Sequence, residues 1–146
     1  MAGPVYAGAA VHVAAPPQQV FDLITDWSRH HEWMFLTTAR QVGQDRIEAY
    51  SGVRPFGFLD TMTITRWDPP ALVLVEHTGR LVRGRGAIRV RPRPDGGSRV
   101  VWAEELCPPF GPLGRALWPL AAPVATALLR HSLRRLAALA SPAERR

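Results

Sequence analysis

The order of apolar patterns predicts an α+β fold: a curved antiparallel sheet of about seven strands wrapped around a long C-terminal helix, with two short helices after strand 1. Three observations predict it. Between Thr37 and Leu106 the chain breaks into strand-length runs separated by Gly, Pro and Asp. Two of those runs, Gly84–Arg91 and Arg99–Leu106, flank the turn signal Asp95-Gly96-Gly97. The closing stretch, Leu113 to Ala140, carries Leu128, Leu129, Ser132, Leu133, Leu136 and Ala140 at helical spacing, with Arg130, Arg134 and Arg135 towards the other side.

The elements follow in order. Tyr6–Ala14 alternates weakly through Val11 and Val13 and reads as the first strand. Pro16 and Pro17 suit a helix start, and Val20, Phe21, Leu23 and Ile24 supply one apolar face. Ser28 to Trp33 reads as a second short helix or turn. Thr37–Val42, Arg46–Ser51 and Phe58–Trp67 are strands, broken by Gly43-Gln44-Asp45 and by the 52–57 segment. Asp68-Pro69-Pro70 turns the chain into the β-prone run Ala71–Thr78. Pro108, Pro109, Gly111 and Pro112 stop the last strand. Pro119 and Pro123 each cost about 3 kcal/mol inside a regular helix, so a kink or a broken start is expected in the first half of the final helix. The chain reads as one domain over residues 1–146, of which 141–146 form a polar tail.

The hairpin is the most informative segment. Side chains alternate faces along a strand. Pairing Val90 with Val100 sets Ile88 opposite Trp102, Gly86 opposite Glu104 and Gly84 opposite Leu106 on one face. The same register sets Arg85 beside Glu105 on the other, so an apolar face separates from a charged one. Glu104 is the exception: a carboxylate on the apolar face, beside glycines that leave space.

Composition narrows the function. The 146 residues suffice for one core, and a hydrophobic fraction of 47% argues against disorder. No stretch is long and apolar enough to span a bilayer. Met1-Ala2-Gly3-Pro4 lacks the basic and apolar regions of a signal peptide, and a cytoplasmic location is expected. One cysteine, Cys107, excludes intrachain disulfides and cysteine-rich metal sites. The net charge of +6 rests on arginine alone, so lysine bases and Schiff-base chemistry are excluded. The arginines are spread over many segments without a nucleic-acid-binding motif, and no nucleic-acid partner is expected. The segment Leu113–Ala127 has the composition of a membrane-surface helix, but it is read here as the helix covering the core. A monomer or a homodimer is expected.

A set of short motifs in a fixed order resembles a known superfamily. They are Ala15-Pro16-Pro17-Gln18-Gln19-Val20-Phe21 leading to Trp27 and Trp33, then Trp67-Asp68-Pro69-Pro70, His77-Thr78-Gly79, Gly84-Arg85-Gly86, Trp102-Ala103-Glu104-Glu105, and Gly111-Pro112-Leu113-Gly114. In these the chain is similar to the SRPBCC, or START and Bet v 1-like, helix-grip superfamily, nearest to bacterial polyketide cyclase/dehydratase-like proteins. The resemblance implies a hydrophobic pocket between sheet and helix, a hydrophobic or aromatic small molecule as partner, and no cofactor. It implies no shared catalytic set, because the superfamily holds cyclases, dehydratases, lipid carriers and receptors.

Two residues are candidates for chemistry. Burial raises a carboxyl towards the range useful in acid–base work, which nominates Glu104. His77 shares a face with Val73 and Val75, and a short connection through Arg80-Leu81 sets it opposite Gly84. A neutral imidazole and a carboxylate would then face one ligand. A salt bridge or hydrogen bonds within the protein are the structural alternatives for both. Asp60 alternates with Met62 and Ile64 but is expected in solvent near the strand's start, with Arg66 at the rim. Trp102, Trp33, Phe35, Tyr50, Gly84, Gly86, Met62 and Leu128 are the candidate ligand-binding residues. His30-His31-Glu32 has ligand-type side chains, yet adjacent histidines on a helix point apart and no third ligand is spaced to join them; no metal site is expected. Nucleophilic catalysis has no elbow motif, and Gly84-Arg85-Gly86 lies in a strand without a following helix. Two functions remain: a cofactor-independent cyclase or dehydratase, and a non-catalytic carrier of a lipid-like or quinone-like ligand.

Overall fold

Seven strands form one antiparallel sheet in the order β1-β7-β6-β5-β4-β3-β2. They are β1 (Val5–Val13), β2 (Thr37–Gln41), β3 (Arg46–Ser51), β4 (Phe58–Asp68), β5 (Leu72–Thr78), β6 (Arg83–Pro92) and β7 (Ser98–Cys107). Helix α1 (Pro17–Ile24) and a 3₁₀ helix (Trp27–Glu32) follow β1, and α2 (Pro112–Ala140) closes the chain. This is the α+β helix-grip fold. The computed structural model describes residues 3–141, so all but the first residue of the expected polar tail lies outside the described residues.

The β6–β7 register is the one the alternation predicts: Val90 opposite Val100, Ile88 opposite Trp102, Gly86 opposite Glu104 and Gly84 opposite Leu106. On the outer face Arg85 bonds Glu105 at 2.8 Å. Helix α1 starts at Pro17, where a missing N–H costs nothing, and buries Val20, Phe21, Leu23 and Ile24. These pack with Val13, Val73, Val90, Val100, Trp33, Leu133, Leu136 and Ala140 into one core. The core therefore fills one end of the sheet, between α1 and the second half of α2.

The first half of α2 departs from expectation in two ways. The helix runs unbroken through Pro119 and Pro123. Both prolines are exposed, as are Arg115 and Pro119, whose carbonyls they leave unpaired, so water can satisfy those groups. Nor does this half cover the core. Leu113, Leu117, Leu120 and Val124 are exposed, Leu120 to 77%. Periodicity shows that a helix has an apolar stripe but not which turns of it meet the sheet. Among the described residues no helix is long and apolar enough to cross a membrane.

The two halves of α2 should therefore respond differently to truncation. Leu136→Ala, at a fully buried side chain, should cost about 2–5 kcal/mol. Leu120→Ala should stay within about 0.5 kcal/mol of the parent. Urea unfolding of the two variants measures both.

Candidate functional site

The inner face of the sheet changes character along its strands. From the core outwards β7 presents Val100, Trp102, Glu104 and Leu106, while β6 presents Val90, Ile88, Gly86 and Gly84. On β5 the inward row is Val73, Val75, His77, and on β4 it is Ile64, Met62, Asp60. Large side chains thus give way to glycine on β6, and a cavity of about 210 Å³ opens there. Trp27, His30, Trp33 and Met34, from the 3₁₀ helix and the connection after it, line it from the other side. A dry apolar cavity of roughly 150 Å³ holds benzene, so this one has room for one or two rings.

A chain of charged groups sits in its wall. His77 Nδ1 lies 3.0 Å from each oxygen of Asp60, and His77 Nε2 lies 2.9 Å from Oε2 of Glu104. The indole N–H of Trp102 donates to Oε1 of Glu104 at 2.7 Å. All three ionisable side chains are nearly enclosed, at 7% exposure for His77, 14% for Asp60 and 11% for Glu104. Ionised carboxylates only accept, so both ring nitrogens donate and the imidazole is an imidazolium. Burial pushes the His77 pKa down, but the hydrogen bonds and charges of Asp60 and Glu104 outweigh it and raise the value to about 10. The neutral imidazole expected from the sequence is corrected here, because a second carboxylate, that of Asp60, joins the ring. Asp60 points inward, not into solvent: it alternates with Met62 inside an eleven-residue strand and pairs with Ala49, which is buried.

The two glycines have different reasons. A Cβ on Gly86 would lie 2.8 and 2.9 Å from the Glu104 oxygens. The carboxylate folds into the space that a side chain would fill. Gly84 has φ +134°, and a Cβ there would meet the carbonyl oxygen of Glu105 at 2.1 Å. Its role is close approach of β6 to β7, and it does not line the cavity.

The other polar wall atoms are spoken for in part. His30 Nε2–H donates to the carbonyl of Ile24 at 2.7 Å, and burial pushes its pKa down to about 4, so the ring is neutral. Thr37 donates to the carbonyl of Phe35 at 2.8 Å and lies 3.0 Å from the hydroxyl of Ser51. Trp33 Nε1 is buried without a partner among the described residues.

Of the candidate residues, Glu104, His77, Trp102, Trp33, Met62 and Gly86 come together around the cavity. Four do not line it. Tyr50 faces the outer side, because Ile47 and Ala49 hold the inner parity of β3; its hydroxyl accepts from the N–H of Gly57 at 3.0 Å, and Arg54 stacks 4.1 Å above the ring. Phe35 and Leu128 line a neighbouring surface recess with Phe56 and Phe58, where Phe35 meets His131 edge-on at 5.6 Å. Gly84 is the fourth, as above. Arg66 is exposed, because a bulge between Ile64 and Arg66 shifts the register and turns Trp67 onto Phe21. Sequence reasoning missed Asp60, His30, Met34, Thr37, Ala49 and Ser51 as wall residues. For Ala49 and Ser51 the parity with Ile47 was an available signal.

Residues 7–141 match the family described as polyketide cyclase / dehydrase and lipid transport. The chain belongs to that family. No curated protein matches it in sequence. Solved structures share the fold of this polyketide cyclase/dehydrase family member. A START superfamily protein from Mycobacterium smegmatis has a TM-score of 0.76 at 9% identity, over 94% of this chain and 97% of that one. A protein from Thermus thermophilus gives 0.72 at 19%, over 92% and 95%. The di-domain ARO/CYC BexL gives 0.67 at 19%, over 89% of this chain and 46% of that one. Family and fold make this a hydrophobic ligand-binding domain.

The His77 pair has a consequence for stability in this polyketide cyclase/dehydrase family member. Its folded pKa of about 10 lies above the ordinary 6.5. Its contribution is therefore complete below pH 6.5 and is lost as pH rises through about 10. The thermal midpoint should fall across that window, and His77→Gln should flatten the fall. Calorimetry between pH 6 and 10 checks both.

Proposed function

We propose that this protein is a cofactor-independent acid–base catalyst, a cyclase or dehydratase acting on a polyketide-like or aromatic ligand. The observation that supports it is the Asp60–His77–Glu104 chain set in the wall of an otherwise apolar cavity. Glu104 is the proton-transfer group. It lies between the imidazolium and the Trp102 indole, and it lines the cavity. In an aldol cyclisation it takes a proton from the carbon beside a carbonyl, that carbon attacks a second carbonyl, and the same proton returns to the alkoxide. In a dehydration the C–H proton goes to Glu104 and leaves with the departing hydroxyl as water. His77 and Asp60 are positioning residues. Both His77 nitrogens already donate to carboxylates, so the ring orients Glu104 and compensates its charge rather than competing as a base.

A carrier of a lipid-like or quinone-like ligand is the second reading. It is favoured by the mutual satisfaction of the charged groups, which a ligand need not disturb.

Solvent deuterium uptake at the central carbon of a β-diketone separates the two. The protein should accelerate uptake, and Glu104→Gln should lower the accelerated rate at saturating ligand by roughly 10²–10⁴-fold. Uptake that is insensitive to this substitution, together with lipid released on native mass spectrometry, would establish the carrier instead.

A further inference from the structure

The hydrogen-bonding capacity of the wall is one-sided. Most of the described side-chain donors in the wall are already engaged, the indole N–H of Trp27 being outside that set. Both N–H groups of His77 go to Asp60 and Glu104. The Trp102 N–H goes to Glu104, and the His30 N–H goes to Ile24. The Thr37 hydroxyl donates to Phe35, which leaves the Ser51 hydroxyl to donate to Thr37. Trp33 keeps a free N–H, but that atom is sealed from any accessible surface. Acceptors, by contrast, are in surplus. A carboxylate oxygen offers two lone pairs, and the oxygens of Asp60 and Glu104 have pairs beyond those bonded to His77 and Trp102. The hydroxyl oxygens of Ser51 and Thr37 also accept.

The charge is one-sided too. Asp60 and Glu104 contribute two negative charges and His77 one positive, a net of −1 within the wall. Among the described residues no arginine lines the cavity, and the chain contains no lysine. Apart from the hydroxyls of Thr37 and Ser51 and the neutral His30, the remaining wall is apolar or aromatic, so little else screens that charge.

We infer that the cavity takes an apolar or aromatic ligand whose buried end is a hydrogen-bond donor, an ammonium in preference to a hydroxyl, and turns away carboxylates. This rests on the reading of the cavity as the ligand site. A donor end fills the spare lone pairs of Asp60 and Glu104, and a cationic one also cancels the residual charge. A carboxylate meets like charge and finds most wall donors already committed to protein acceptors. An acid-ended lipid is thereby the wrong ligand for this wall, although its tail would suit the apolar part.

Three compounds of matched ring and similar length test this: 2-phenylethylamine, 2-phenylethanol and phenylacetate, titrated into the full chain at pH 7 by calorimetry. The expected order of affinity is amine, alcohol, acid, with the amine at least about tenfold tighter than the alcohol, because only the ammonium adds a full opposite charge to the carboxylates it bonds. Equal affinities, an acid that binds best, or an amine that does not bind would each overturn the inference. Asp60→Asn removes one negative charge and keeps the shape. It should erase most of the amine's advantage over the alcohol, since the residual negative charge that favours the cation is gone. An advantage that persists would overturn the charge argument. Deuterium uptake into the β-diketone is a separate measurement, so acid–base chemistry can stand while this ligand order fails, and the reverse.

Discussion

Everything at this site depends on a contact that passes over a strand. His77 is on β5 and Glu104 on β7, with β6 between them. Two strand spacings separate their backbones by roughly 9–10 Å. The imidazole and the carboxylate nevertheless meet at 2.9 Å. They can do so because the position paired to Glu104 on the intervening strand is Gly86. Any side chain at Gly86 would occupy the volume in which the carboxylate lies. Removing that one methyl group's worth of matter from β6 makes both the cavity and its charged wall.

The division of the sheet follows from the same fact. Where β6 carries Val90 and Ile88, the inner face is filled, and Phe21, Trp33, Leu133 and Leu136 seal it. Where β6 carries glycine, α2 supplies no wall residue, and the cover comes from the 3₁₀ helix and Met34. The second half of α2 is thus a stability element. Its Ser132 hydroxyl accepts from the Phe35 N–H at 3.1 Å, which ties the helix to the segment leading from the cavity's cover into β2. The exposed first half does neither job.

How much was legible in the sequence depends on which physical rule carried the signal. The hairpin register, the inward Glu104 and the placement of His77 opposite Gly84 follow from the two-residue period and a short turn, both local rules. The same period applied to β3 places Tyr50 outside, since Ile47 and Ala49 claim the inner face; the residue's aromatic character obscures its parity. Asp60 has the parity of Met62, and only its charge argues for solvent. The partner that makes its burial tolerable, His77, lies seventeen residues away on the neighbouring strand. Leu128 and the 113–127 stretch fail for a different reason. Helical periodicity fixes a face, while coverage depends on where the helix crosses the sheet, which is a tertiary property.

Stability alone does not account for this cluster. Replacing a buried ion pair with packed apolar residues is often neutral or stabilising, because desolvation offsets the attraction. A valine at His77 and a leucine at Glu104 would extend the core rows of β5 and β7 without a charge to compensate. Instead the chain places three ionisable groups in a largely apolar wall, leaves a glycine beside them, and commits the Trp102 indole N–H to the carboxylate. Each choice costs burial energy that a purely structural wall would not incur. Together they keep two carboxylates hydrogen-bonded, oriented and facing a ligand-sized space. That arrangement is intelligible if a ligand's proton or charge is what the wall is built to meet.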